Sequence, residues 1–533
     1  MISRRVALLL CVFLALPIVA RADDESLDGL PIVAIHIDRS NIFDTDDPKT
    51  SAWFYRWANA LHVVSKENFI RSMLLFSEGD PYSASAAAES ARILRSLDII
   101  NPVEIRASRV EGGVEVEVTT HDKWTLQIGA QAGLFGSRSS FSLDLEENNL
   151  AGWGKSARVA YGKDNERNTW SYRYFDPNVL STRWRVLLEH ANSSDGSRDQ
   201  VRVDRPFYSL ATPWTWGIEA SQENLIEHLY SASESVVSGD RESENARVWG
   251  GARLPGTSVI TRRLTAGWLH RRDLYSDWEW EVDGSPYPTP ENLIIDGPMI
   301  SYEQIADRFI VVEGFRAWTV QEDVAFGPNF ALTTAFSSPT FGGDRKRLLA
   351  AGGAHAARRR GDWLFLGDVW FSGRLEEGES RNLVAGFQVG AAQLGTRGWQ
   401  ARLLVESSHR LDLNRQLTLG ADLGLRGWDP DYFDGTGRAL FNLQWRRLLW
   451  QEVLGLFSVG VVAFGDAGAT WDPRVGPNTD GIRLDAGVGL LFDFAHLSRS
   501  NLLRIDVAMP DDGSGPTVTV STSTIFRLPR RIR

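Results

Sequence analysis

Cysteine is almost missing. The one residue in 533, Cys11, lies near the amino terminus, so the rest of the chain can hold no disulfide framework, thiol nucleophile or zinc-thiolate site. Histidine is thin as well: nine are present, and the nearest two, His36 and His62, stand 26 positions apart, so no H-E-x-x-H helix exists. A G-x-S-x-G elbow is also missing, which removes a lipase fused to another module. Adjacent acids such as Glu146-Glu147 and Asp511-Asp512 do occur. Neighbours along a strand face opposite sides, so such pairs read as solvated or lumenal rather than catalytic. Positive charge is in deficit, with 57 Lys+Arg against 68 Asp+Glu and a net charge of −11, which argues against a nucleic-acid partner. No apolar run after Ala20 is long enough for a transmembrane helix. The expectation is a chain that is not an enzyme, with no catalytic residue, metal site or cofactor.

What the amino terminus does have is a basic start, Arg4 and Arg5, then the apolar stretch Val6 to Ala20, then Ala20-Arg21-Ala22 before Asp23. That is the pattern of a secretory signal peptide over residues 1–22. Its removal takes away three arginines and no acid, moving the net charge from −11 to −14.

Residues 23–122 read as a small α+β domain. IVAIHID after Pro31 alternates as a strand. SKENFIRSMLLF, with Ser65 as N-cap, reads as a helix and GDPYS as a turn. ASAAAESARILRSL is an amphipathic helix with Ala88, Ala91, Leu94 and Leu97 near one face. Two strands follow, PVEIRASRV and GVEVEVTT, joined at Glu111-Gly112-Gly113. Between the first strand and the first helix lie Trp53, Phe54, Tyr55 and Trp57, readable as a packed turn or as an exposed contact.

From residue 123 the pattern has period two. In KWTLQIGAQAGL, Trp124, Leu126, Ile128, Ala130, Ala132 and Leu134 share one face, while Thr125, Gln127, Gly129, Gln131 and Gly133 share the other. FSLDLEEN, RWRVLLEH, PWTWGIEA, IRLDAGVGLLF and LLRIDVAMP repeat it. A soluble sandwich would alternate too. Three features favour a transmembrane barrel: strands of about 9 to 12 residues, the span of a tilted bilayer strand; 20 tryptophans, many near strand ends; and an export signal. Only closure satisfies every edge hydrogen bond in lipid. Short connections such as FDPNVLST alternate with long polar ones such as SDWEWEVDGSPYPTPENLIIDG, as expected of the two rims of such a barrel. Five strands follow residue 437, and eleven to about fifteen can be drawn before residue 424. Arg358-Arg359-Arg360 reads as a strand end in the headgroup zone or as a lipopolysaccharide contact.

One loop stands apart. GLRGWDPDYFDGTG, Gly424 to Gly437, holds a lone arginine beside glycine and tryptophan. If the loop folds inward, Arg426 needs a partner, and Asp466 in SVGVVAFGDAGATW is the candidate, on one face with Phe464 and Gly460. Gly427 would permit close backbone approach and Trp428 would wedge against the wall. The alternative is a solvated arginine on a capping aspartate.

LRGW at 425–428 resembles the V-R-G-F/Y loop motif of the BamA/TamA outer-membrane assembly and translocation superfamily, the bacterial surface antigen family. FGDAG at 464–468 resembles its F-x-D-x-G strand motif, PTVTVSTSTIF ending at Phe526 its aromatic-terminated last strand, and FIRSMLLFSEGDPYSASAAAESARILRSLDI with GVEVEVTTHDKWTL the end of a POTRA module entering the first barrel strand. The resemblance implies a POTRA-like periplasmic domain at 23–122, a sixteen-stranded outer-membrane barrel at 123–526, and a basic tail at 527–533. It also implies a lumenal lock of Arg426, Gly427, Trp428 and Asp466, supported by Phe464 and Gly468. A lateral seam would lie between a first strand weakened by Gly129 and Gly133 and a last strand from Pro516 to Phe526. The partners it implies are outer-membrane lipid, lipopolysaccharide and an unfolded or secreted client protein. A passive pore or solute channel is the competing reading, and an adhesive surface protein acting through loop 275–297 a third.

Overall fold

The computed structural model describes residues 27–46, 48, 50–135, 138–164, 166–257, 259–454, 456–476, 481–494, 497, 502–522 and 525; for 54, 128–135 and 138–140 the backbone alone is described. The signal-peptide segment, Phe526 and the basic tail lie outside this set.

The amino-terminal domain is a three-stranded sheet covered by helices. Strand β1 (Ile32–Ser40) is followed by α1 (Trp53–Leu61), α2 (Glu67–Met73), α3 (Ala84–Arg95), β2 (Ile100–Val110) and β3 (Gly113–Asp122). β3 is central, parallel to β1 and antiparallel to β2. Its alternation explains the position: Val114, Val116 and Val118 are fully buried against Phe69, Ile70 and Leu94, with the intervening glutamates facing away. Two sequence expectations are corrected. Ser65 does not cap α2, which starts two residues later; its backbone N–H and Oγ donate instead to Asp122 Oδ2, at 2.7 and 3.0 Å. In α3, capped by Ser83, Ala87, Ser90, Ala91 and Leu94 face the core while Ala88 is exposed, because the helix phase is set by Leu94 and Ala91.

Twenty strands then form one closed antiparallel ring. The first six are β4 (Leu126–Phe135), β5 (Arg138–Glu147), β6 (Ser156–Lys163), β7 (Asn168–Val179), β8 (Trp184–Ser193) and β9 (Gly196–Arg205). Four longer ones follow: β10 (Trp214–Ser231), β11 (Glu234–Thr257), β12 (Ile260–Trp280) and β13 (Leu293–Ala306). A separate two-stranded hairpin, β14 (Phe309–Val312) and β15 (Glu322–Ala325), interrupts the ring order. The ring resumes with β16 (Asn329–Ser337), β17 (Arg347–Arg360), β18 (Trp363–Glu376), β19 (Glu379–Gln393) and β20 (Arg397–His409). It ends with β21 (Gly437–Val453), β22 (Phe457–Trp471), β23 (Arg483–Asp493), β24 (Leu502–Pro510) and β25 (Thr517–Ser521), the last closing on β4.

The strand number corrects the sixteen implied by resemblance and meets the upper bound of the residue-by-residue count, fifteen strands before the loop and five after it. Strand length is a second correction. β10, β11 and β12 run 18, 24 and 21 residues, well past the roughly 10 needed to cross a bilayer. The supposed long loop is partly strand, because Trp278 packs with Leu229 and Val237 and extends the sheet beyond the wall.

The wall has two chemistries. Phe141, Leu143, Leu145, Trp216, Ile218, Phe371, Phe387, Phe441, Val488 and Leu490 face outward and exposed. Asp204, Asp273, Arg347, Asp368, Arg402, Arg446 and Asp506 are buried on the inner side. An apolar exterior around a charged interior is the reverse of a soluble fold and suits a ring standing in hydrocarbon. The amino-terminal domain sits under one rim, the proximal one, held by three turns. Lys66 N donates to Gly152 O (2.8 Å), Asn178 Nδ2 to Ser72 Oγ (2.8 Å) and Leu210 N to Glu89 Oε1 (2.6 Å). Arg358, Arg359 and Arg360 are exposed at the proximal end of β17, on the strand-end reading.

Arginine in place of Val488, mid-strand on the outer face, should destabilise the bilayer-inserted barrel by roughly 2–4 kcal/mol. Denaturant titration in lipid reads this out, and an unchanged midpoint would count against hydrocarbon on that face.

Candidate functional site

The segment between β20 and β21, residues 410–436, enters the ring from the distal rim. It is a small hairpin of its own: Leu419 and Phe433 exchange backbone hydrogen bonds at 2.8 and 3.0 Å, and Leu425 N donates to Gly420 O at 3.0 Å, tightening the tip. The tip presents Arg426, which is 5% exposed, to the wall.

There Nε and Nη2 of Arg426 donate to Oδ2 and Oδ1 of Asp466 on β22, both at 2.8 Å, a two-point pairing of planar groups. Nη1 donates to Gln444 Oε1 at 3.3 Å and lies 3.8 Å from Asp506. The Phe464 ring lies under the guanidinium, 3.5 Å from Cζ, a cation–π contact. Asp466 Oδ1 also accepts from Asn442 Nδ2 at 2.7 Å, and that amide bonds Gly424 O at 2.7 Å. The solvated-arginine alternative therefore does not describe this loop.

The glycines are steric requirements. A Cβ on Gly427 would stand 2.6 Å from Asp485 Cβ, and the Gly427 N–H donates to Asp485 Oδ2 at 2.9 Å. A Cβ on Gly468 would stand 2.8 Å from Leu419 Cδ2, so that position seats the loop's stem. Trp428 is buried among Leu404, Leu419, Leu425, Tyr432, Phe433 and Leu440, with its ring centroid 4.9 Å from that of Phe433. Thus Arg426, Gly427, Trp428, Asp466, Phe464 and Gly468 are brought together. Gln444, Asn442, Asp485 and Asp506 complete the site and escaped the sequence reading, because cross-strand register places them there.

The seam residues form no such cluster. Gly129 and Gly133 lie in β4 opposite Asp144 and Ser140 of β5. Pro516 directly precedes β25, whose described length is five residues, and Phe526 is outside the described set. One contact joins the two sites: Thr517 Oγ1 on β25 donates to Gly427 O at 3.0 Å.

A second insert was not anticipated. Residues 307–328, a proximal turn by position, fold up into the ring as the β14–β15 hairpin. Arg446 on β21, fully buried, donates to the carbonyls of Phe315 (2.6 Å), Arg316 (3.0 Å) and Gly314. Asp493 Oδ2 accepts from the N–H groups of Trp318 and Thr319 at 2.6 and 3.1 Å. A Cβ on Gly460 would lie 2.2 Å from the Trp318 ring, so Gly460 makes room for it. Below, Asp323 pairs with Arg95 of α3 at 2.7 and 2.8 Å. Its signal was GFRAW, another Gly-Arg-Trp cluster where a short turn was due. Among the described residues no cluster of His, Cys, Asp and Glu suits a metal ion.

No family model and no curated protein matches the sequence. Among solved structures, BamA from Haemophilus ducreyi lacking POTRA domains 1–3 is similar at 13% identity, covering 92% of this chain and 82% of its own, with a TM-score of 0.34. CdiB from Acinetobacter baumannii aligns at 9% identity over 93% and 73%, TM-score 0.42. CdiB from Escherichia coli aligns at 12% over 92% and 76%, TM-score 0.44.

Replacing Arg426 with Ala strands a buried carboxylate and should cost about 3–5 kcal/mol. Arg426→Lys keeps the charge but loses the two-point geometry, and should fall between. Proteinase K added from the distal side should cut within 410–436 in the alanine variant and spare the parent; equal protection would sink the anchoring role of this pair.

Proposed function

We propose that this chain belongs to the BamA/TamA-type superfamily and works in a bacterial outer membrane, assembling or translocating client proteins. The observation that carries the reading is the buried Arg426–Asp466 pair, built from the two motifs LRGW and FGDAG and touching the last strand through Thr517.

The mechanism follows from hydrogen-bond arithmetic. Described strand length falls toward the closure: β21 to β25 have 17, 15, 11, 9 and 5 residues. The β25–β4 junction involves the shortest described strand of the ring, and glycines at 129 and 133 add little side-chain packing there. Parting the two strands exposes unpaired N–H and C=O groups, a template for a client strand by β-augmentation within the plane of the lipid. The amino-terminal domain, the POTRA-like module facing the periplasm, offers a second edge in β2, which pairs on one side only. A client strand can be held there before transfer. In this reading no residue is catalytic, and no metal or cofactor takes part.

The competing pore reading needs an open lumen, whereas loop 410–436 and hairpin 309–325 occupy it from opposite rims. Cysteines scanned along β4 and β25 should yield a pair whose oxidation blocks restoration of the outer-membrane proteome in depleted cells, with reductant reversing the block. Full restoration with the seam oxidised would reject lateral opening. In planar bilayers the intact chain should pass little steady current and a variant lacking 309–325 markedly more. A large steady current from the intact chain would favour the pore.

A further inference from the structure

Helix α1 carries its large apolar side chains on the wrong side for a soluble domain. Trp53, Trp57 and Leu61, at i, i+4 and i+8, form one stripe and are 73%, 59% and 50% exposed; Val63 continues it at 52%. The opposite face does the packing. Tyr55 is buried with Ile42 and Phe43, and Ala58 lies against them.

The stripe is held rigidly in place. Asn59 Nδ2 donates to Phe43 O at 2.8 Å and its Oδ1 accepts from Phe43 N at 3.2 Å. His62 Nε2 lies 2.9 Å from Asp122 Oδ2 at the end of β3. The Tyr55 hydroxyl donates to Leu454 O, in the proximal turn between β21 and β22. That turn is flanked by outward apolar groups of the wall, with Trp450 61% and Leu454 67% exposed beside Leu449 and Leu456. The helix is therefore pinned at the lower margin of the barrel's lipid-facing band, close to the closure: Trp124, just before β4, packs on the same cluster.

We propose that α1 is an interfacial membrane anchor. Trp53, Trp57, Leu61 and Val63 enter the boundary between headgroups and acyl chains of the proximal leaflet, beside the seam. Amphipathic rings favour that depth, and an interfacial helix buries its apolar face about 5–10 Å into the boundary. Here the polar face of an ordinary interfacial helix is replaced by the domain itself. The domain then has a lipid contact independent of any client, and the membrane beside the β25–β4 junction is occupied by wedged aromatic rings.

Cys11 being the one native thiol, a Cys11→Ser background allows single nitroxide labels. The full chain carrying Trp57→Cys, in phosphatidylethanolamine–phosphatidylglycerol bilayers, should collide with dissolved oxygen several-fold more than with a water-soluble nickel chelate. Leu61→Cys should behave likewise, guarding against a local effect at 57. Glu111→Cys, in the exposed turn between β2 and β3, should show the reverse preference. Val488→Cys reports the barrel exterior: lipid exposure there with nickel access at 57 and 61 would overturn the anchor while leaving the barrel reading intact. Protection at 57 and 61 from both reagents would place the stripe against protein, and would overturn it as well.

Discussion

A ring of twenty strands is too wide for wall side chains to meet across it; barrels of 16 to 18 strands already leave an aqueous channel. Yet two inserts occupy part of this lumen, and they meet the charges buried inside. Two pieces of chain enter from opposite rims and bring polar backbone with them. At the centre of each contact is a guanidinium removed from water. Such a group is costly to bury unless its hydrogens are met by acceptors in good geometry. At the distal insert Arg426 meets the Asp466 carboxylate; at the proximal one Arg446 meets three consecutive carbonyls.

The two solutions are inverted. In the first, the cation rides on the insert and the anion on the wall; in the second, the cation is on the wall and is met by carbonyl dipoles of the insert, whose N–H groups at Trp318 and Thr319 meet the wall carboxylate Asp493. They also share parts. Gln444 Oε1 accepts from Arg426, its Nε2 donates to Gln400 Oε1 at 2.7 Å, and Gln400 Nε2 donates to Phe315 O at 2.8 Å. One unbroken chain of hydrogen bonds thus runs from the distal loop to the proximal hairpin. It extends to the amino-terminal domain through the Asp323–Arg95 pair, and to the last strand through Thr517. Displacing the proximal hairpin takes the acceptor from Gln400 Nε2, and displacing the distal loop takes one of two donors from Gln444 Oε1, so the two wall glutamines link the inserts.

What could be read in the residues follows from how local each feature is. Alternation along β22 puts Phe464, Asp466 and Gly468 on one face whatever surrounds them, so half of the site was visible in one strand. Gln444, Asn442 and Asp506 were not, because register between strands leaves no trace in a single segment. Strand number was better served by the residues than by resemblance: the period-two count reached twenty at its upper bound, while kinship implied sixteen. The inner hairpin was hidden because Phe309–Val312 and Glu322–Ala325 are four residues each, too short to show a period. Ser65 was misplaced for a related reason. A serine before an apolar run looks like a cap, but tertiary demand from Asp122 outweighed it.

The taper of the last five strands gives the buttress its meaning. Lumenal contacts reach all five: Asn442, Gln444 and Arg446 on β21 and Asp466 on β22 grip the inserts, and the shorter strands are held as well. Asp485 on β23, Asp506 on β24 and Thr517 on β25 all reach the tip of the distal loop. The strands behind β25 stay fixed to Arg426 and Gly427. Loss of the last strand from the ring need not loosen its neighbours, because their position is set from inside the lumen.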